Sequence, residues 1–192
     1  MDKKELGILG FLFLLLIVLI YLLFRTGAGE KSKPAPGAPL VETQPQPKDM
    51  EKGKKVTLFF LSEEDSLLHP EEREIAGRSS TAEEAQEVID ELIKGPRSEL
   101  ISSLPPETKL RQLFVTKDGM AYVDFSKEIM EKHPSGSSAE LSTVYCVVNS
   151  LTYNFPSLKR VFVLVEGGER ETLDGHIDLS KPFLPDYTLI AK

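Results

Sequence analysis

The chain predicts an α+β fold, with two amphipathic helices packed on one face of a mixed, mostly antiparallel sheet of about four strands. A transmembrane helix is expected at its N-terminus. Three observations carry this. Residues Leu6–Phe24 contain no charged side chain. Two later segments repeat apolar residues at helical spacing. Around them lie short runs rich in Val, Phe and Leu that read as strands.

At ~1.5 Å per residue, Leu6–Phe24 spans roughly 28 Å as a helix, close to the ~30 Å hydrocarbon core of a bilayer. The run is longer than the roughly 7–15 apolar residues of a cleaved signal peptide. Lys3 and Lys4 precede it, and Arg25, Lys31 and Lys33 follow. The expected topology leaves residues 1–5 as a cytoplasmic head and the bulk of the chain outside. The single cysteine, Cys146, is far from the N-terminus, which argues against a lipid-bearing cysteine there. Residues 25–54 read as a tether. Pro34, Pro36, Pro39, Pro45 and Pro47 alternate with Gly, Ala, Gln and Lys, and prolines bias the chain toward extended polyproline II. Residues 55–192 remain as one domain, long enough to bury a core of its own. One cysteine allows no intramolecular disulfide. The net charge of −7 argues against a nucleic-acid partner, since no Lys/Arg cluster offsets it.

Within the domain, Val56–Leu61 is apolar on both faces and reads as a central strand. Leu67–Ile75 is a weaker extended segment broken by Pro70. The first helix begins at Thr81, with Glu84 completing a capping box. Ala82, Ala85, Val88, Ile89, Leu92 and Ile93 form its stripe, and Gly95-Pro96 stops it. Lys109–Thr116 and Met120–Phe125 read as a hairpin turned by Asp118-Gly119. In the return strand Ala121, Val123 and Phe125 face the core, and Tyr122 and Asp124 face away. A second capping box, Ser137 with Glu140, opens the second helix. Its stripe is Leu141, Val144, Tyr145, Val148 and Leu151, and it ends before Phe155-Pro156. Val161–Val165 is another strand, and the tail from His176 to Phe183 packs through Ile177, Leu179 and Phe183.

An ordered set of motifs runs through this region. Gly95-Pro96 is followed by Leu104-Pro105-Pro106-Glu107-Thr108-Lys109-Leu110, then by Asp118-Gly119 with Ala121-Tyr122-Val123-Asp124-Phe125-Ser126. Next come Val147-Val148-Asn149-Ser150-Leu151-Thr152 leading to Phe155-Pro156, and Gly175-His176-Ile177-Asp178-Leu179-Ser180. Together these resemble the GerMN domain of sporulation and germination proteins, over roughly Lys54 to Phe183. The resemblance implies an extracytoplasmic module shaped like ring-building domains, working by interaction or assembly and offering no catalytic residues. Gly95, Pro96, Asp118, Gly119, Asn149 and Asp178 then stand as structural motif positions. Because the chain carries one such domain and a membrane helix, the resemblance does not by itself imply a role in spores.

The residues themselves supply little chemistry. His69, His133 and His176 show no ligand-like spacing, so no metal or other cofactor is expected. His176, Asp178 and Ser180 belong to a packed tail. Cys146 has no flanking base and lies nearly opposite the Leu141/Val148 stripe. Asn149 sits at the margin of that stripe, where a buried amide needs a backbone partner, and Arg73 is expected to pair with a carboxylate such as Asp124. Glu83, Glu87, Asp90 and Glu91 form an acidic outer face on the first helix, a candidate docking surface for a basic partner. Lys94 is the one helix-compatible cation there, at i+4 from Asp90.

The expected function is that of a membrane-tethered, non-catalytic interaction module of the bacterial envelope. It would act on envelope proteins or on copies of itself, through helix faces and sheet edges. The alternative is a binding protein for a small solute or a cell-wall fragment. A reporter active only outside the cytoplasm, fused after Lys192, is expected to be active. A silent reporter would invert the topology, and a mature N-terminus beginning after Ala28 would turn the anchor into a signal peptide.

Overall fold

The computed structural model describes residues 53–192. The predicted membrane helix Leu6–Phe24 and nearly all of the proline-rich tether lie outside the described residues. Among those described, no helix is long and apolar enough to cross a membrane.

Among the described residues, five strands and three helices follow in the order β1 (Lys54–Leu61), β2 (Leu68–Ile75), α1 (Thr81–Ile93), β3 (Leu110–Val115), β4 (Met120–Phe125), α2 (Glu128–Glu131), α3 (Ser137–Asn154) and β5 (Arg160–Val165). A 3-10 turn, Tyr187–Leu189, comes last. The strands do not form one sheet of about four. They make two: an antiparallel β1–β2 ribbon and a mixed sheet of order β3-β4-β5, in which β5 runs parallel to β4. In the mixed sheet Leu113, Val115, Ala121, Val123, Phe125, Val161, Val163 and Val165 share the inner face. This face joins Val88, Ile89, Leu92, Val147, Val148 and Leu151 in one core.

The ribbon ends at β1 because the second edge of that strand is already satisfied. Thr57 N donates to Asn154 Oδ1 at 2.9 Å and Phe59 N to Ser150 Oγ at 3.0 Å, while Asn154 Nδ2 donates to Thr57 O at 2.6 Å. Leu61 and Ile101 exchange backbone hydrogen bonds farther along. So β1 is buried on both faces, as its sequence requires, with a full strand along one edge only. Its partner β2 runs unbroken through Pro70, opposite Phe59. The N–H groups of Thr57 and Phe59 point away from β2, so the alternation of the ladder turns the Pro70 nitrogen to the outer edge, where no donor is needed. Other edges are also covered. Gln86 Nε2 of α1 donates to Leu113 O on β3, and Val161 of β5 exchanges backbone bonds with Phe183. Such covering blunts strand-to-strand association at these edges.

Local chemistry differs from the sequence reading at both helix starts. Ser80, not Thr81, caps α1, accepting from Glu83 N, and Glu84 is released to pair with Lys54. At α3 the N-cap is Gly136 and no side chain caps the helix; Glu140 is recruited elsewhere. The stop of α1 is as expected. Gly95 takes φ +79°, a conformation open to glycine at little cost, and its N–H bonds Leu92 O.

Arg73 does not reach Asp124, which instead takes Arg111 at 2.8 Å and Gly167 N. Its guanidinium, 1% exposed, is buried beneath the C-terminal end of α1. It donates to Glu71 Oε1, Glu91 Oε2, Glu91 O and Gly95 O. Glu71 in turn accepts from the backbone N–H groups of Arg97 and Ser98. A cation at this end of a helix opposes the negative pole of the dipole, and five donors in a fixed fork suit several acceptors at once.

Ile89→Ala is expected to cost about 2–5 kcal/mol, and the smaller Val148→Ala somewhat less, because both side chains are fully buried and leave cavities. Arg73→Ala, which removes the buried guanidinium that joins Glu71, Glu91 and the end of α1, is expected to cost about 3–5 kcal/mol. Urea unfolding midpoints of the three variants check these values, and wild-type midpoints throughout would refute the packing described.

Candidate functional site

The acidic face predicted on α1 is only partly assembled. Glu91 is buried, not outward, and binds Arg73, Lys94 and Arg97. Burial pushes its pKa up, but the bonds from Lys94 and Arg73 outweigh this and hold it below the ordinary value. Lys94 therefore serves Glu91 at i+3, not Asp90 at i+4. Glu87 pairs with Arg78. Glu83 is exposed and bonded to Ser79 and Ser80. Asp90 is exposed, and partial burial followed by repulsion from Glu87 raises its pKa. Two of the four carboxylates are thus already matched to guanidinium groups.

The remaining predicted residues are architectural. Gly119 takes φ +83°, and a Cβ there would stand 2.5 Å from Ser157 O. Asp118 holds Thr116 and Arg160. Pro96 follows Gly95 at the end of α1, and Asp178 folds back on Ser180 N and Oγ. Cys146 is fully covered, its thiol pushed up to about 12 by burial, which removes it as a nucleophile at neutral pH. Among the described residues no group of His, Cys, Asp and Glu is arranged to hold a metal ion.

A different region stands out. Among the described residues four large hydrophobic side chains are exposed: Phe114, Tyr153, Leu184 and Tyr187. Tyr153 and Tyr187 line one open groove of about 360 Å3 with Thr152, Pro156, Leu158, Lys159 and Pro185, and Leu184 immediately precedes Pro185. Phe114 lies apart, stacked on Tyr122 on the outer face of the mixed sheet.

The groove is built from α3 outward. Tyr153 is the penultimate residue of that helix and packs edge-on to Phe59 of β1, with ring centroids 5.3 Å apart. Opposite it, the tail is clamped by Asn149. The amide of this fully buried residue donates to Asp186 O at 2.8 Å and accepts from Asp186 N at 3.0 Å. Asp186 then caps the 3-10 turn through Thr188 N. This sets Tyr187 beside Tyr153, with ring centroids 6.3 Å apart and planes at 85°. The Tyr187 hydroxyl donates to Thr152 Oγ1. Asn149 was legible as an amide seeking backbone. The two tyrosines were not: Tyr153 lies off the apolar stripe, and Tyr187 follows a tail with no periodicity.

A second clamp secures the same tail. Glu140, wholly buried on α3, accepts from the N–H groups of Leu173, Asp174 and His176. Burial raises its pKa, but the backbone bonds outweigh burial and keep it below the ordinary 4.5.

The profile of the family described as Germane, sporulation and spore germination, matches residues 57–171. The chain belongs to the Germane family. The match agrees with the GerMN resemblance read from the motifs. Three solved structures share this fold. A candidate lipoprotein from Clostridium perfringens is 26% identical with a TM-score of 0.50, over 69% of this chain and 87% of that one. The first GerMN domain of the sporulation protein GerM from Bacillus subtilis is 20% identical with a TM-score of 0.56, over 69% and 97%. The tandem GerMN domains of that protein match at 20% and 0.57, and here this chain spans 46% of the longer one. Among curated proteins, none matches significantly.

Because its folded pKa is depressed, Glu140 contributes stability that is fully present above the unfolded value and is lost as pH falls through the folded one. Glu140→Gln is expected to destabilise the chain at neutral pH by about 1–3 kcal/mol, since an amide offers N–H where a second acceptor is required. It should also flatten the loss of stability below about pH 4.5. Unfolding midpoints measured across that range decide it; an unchanged acid limb would show that other carboxylates govern it.

Proposed function

We propose that this Germane-family chain is an envelope-associated module, tethered to the cytoplasmic membrane with its domain outside. It works by binding another macromolecule, without catalysing a reaction. The observation that carries this is the placement of Tyr153 and Tyr187, about half exposed at 55% and 48%, on either side of one groove. Exposed aromatics gathered at one place mark contact surfaces more often than chance solvent exposure does. Tyrosine suits such a surface, because it brings a rigid apolar ring and a polar tip. The candidate lipoprotein from Clostridium perfringens supports an envelope setting. The chemistry-bearing residues are engaged structurally: Glu140 holds the tail, Cys146 is enclosed, and Glu91 is bound by three cations.

Binding of a small solute or cell-wall fragment is the second reading, favoured by the volume of the groove, which falls within the range of small-ligand sites. Glu83 and Asp90 on α1 keep their place as a secondary contact for a basic partner.

A photo-reactive amino acid placed at Tyr187 in the full-length chain is expected to cross-link a protein in native membranes, and the same probe at Glu83 to do so less. A cross-link only to glycan would favour the second reading. Strong capture at Glu83 with none at Tyr187 would move the working surface to α1.

A further inference from the structure

We propose that the Tyr153–Tyr187 groove takes a proline-rich segment of another envelope protein, bound as a polyproline II helix with an acidic residue beside its prolines. The inference deepens the interaction reading and rests on it. A polyproline II helix makes no internal hydrogen bonds, and its proline positions carry carbonyl acceptors without N–H donors. It therefore seeks a furrow with apolar walls and unused donors. The groove offers this combination. Its walls are two tyrosine rings standing edge to face, two prolines and Leu158.

Two of its polar groups keep hydrogen-bond donors unused among the described residues. Thr152 Oγ1 gives its hydrogen to Val148 O and accepts from Tyr187. The hydroxyl of Tyr153 makes no hydrogen bond among the described residues and is free to donate to a peptide carbonyl. Lys159 gives one of its ammonium hydrogens to Pro156 O at 2.6 Å and keeps the others. Lys159 is also the one charged side chain lining the groove, so a cation faces the occupant, while the neighbouring Asp186 carboxylate is engaged with Thr188. This complementarity selects an acidic flank on the occupant.

The test is fluorescence anisotropy with the full-length chain in detergent. The probe is a labelled peptide of two aspartates followed by alternating prolines and alanines. Its controls replace every proline by serine, or the aspartates by lysines. The proline peptide is expected to bind about tenfold tighter than the serine peptide, a difference of about 1.4 kcal/mol. The lysine-flanked peptide should bind about threefold more weakly, with that gap closing at about 0.5 M salt. Lys159→Glu should reverse the flank preference on the intact groove, and Tyr153→Ala should remove the preference for proline.

Equal binding of proline and serine peptides, no binding, or wild-type binding by both Tyr153→Ala and Tyr187→Ala would overturn the proposal. So would displacement of the peptide by tetra-N-acetylchitotetraose that itself binds more tightly. If peptides fail while the probe at Tyr187 still captures a protein, the interaction reading survives and the proline-rich occupant is discarded. If both fail, both are discarded.

Discussion

Buried backbone groups must be paired, and in this fold one helix does much of the pairing for segments that cannot do it themselves. Along α3, Glu140 receives three N–H groups of the 173–176 turn, Thr143 donates to Ser103 O, Asn149 brackets Asp186, and Ser150 and Asn154 serve the edge of β1. Ordinary core helices bury an apolar stripe. This one buries polar residues around most of its circumference, and Glu140, Thr143, Asn149, Ser150 and Thr152 are all inside. Each is affordable because it meets a partner in a medium where an unmet group would cost about 1–3 kcal/mol. The two-sheet architecture follows from the same device. A β1 edge already occupied by side chains of α3 cannot accept a further strand.

The arrangement couples stability to surface. Tyr153 stands next to Asn154, which secures β1, and one turn after Asn149, which secures the opposite wall of the groove. The two sides of the groove are therefore held by a single rigid element. That is the arrangement expected where a contact surface must be formed in advance, since ordering loops on binding subtracts from affinity. The Arg73 cluster does comparable work at the far end of α1. One guanidinium joins β2, the end of the helix and the loop after Gly95, and in doing so it removes Glu91 from the outer face.

Much of the organisation was legible in the sequence. The stripe of α1, the Gly95-Pro96 stop, the Asp118-Gly119 hairpin and the inward set Ala121, Val123 and Phe125 follow from periods of 3.6 and 2 and from the conformational freedom of glycine, all of which are local. The family, too, was readable, because its motifs fall in a fixed order along the chain. Asn149 could be recognised as an amide in need of backbone.

What only the tertiary structure decided is where polar residues spend their bonding capacity. Ser137 and Glu140 have the spacing of a capping box, yet Glu140 turns to a segment more than thirty residues later, where three N–H groups outbid one at the helix start. Arg73 had Asp124 as a plausible carboxylate and took Glu71 and Glu91 instead, because β2 pairs with β1 and lies under the end of α1. Tyr153 and Tyr187 are separated by the whole of β5 and the tail, and their meeting depends on the Asn149–Asp186 clamp. Local periodicity reports which face of an element is apolar. It carries no information about which distant backbone group will lie within about 3 Å of a given side chain, and in this protein both the register of the sheets and the candidate site depend on that.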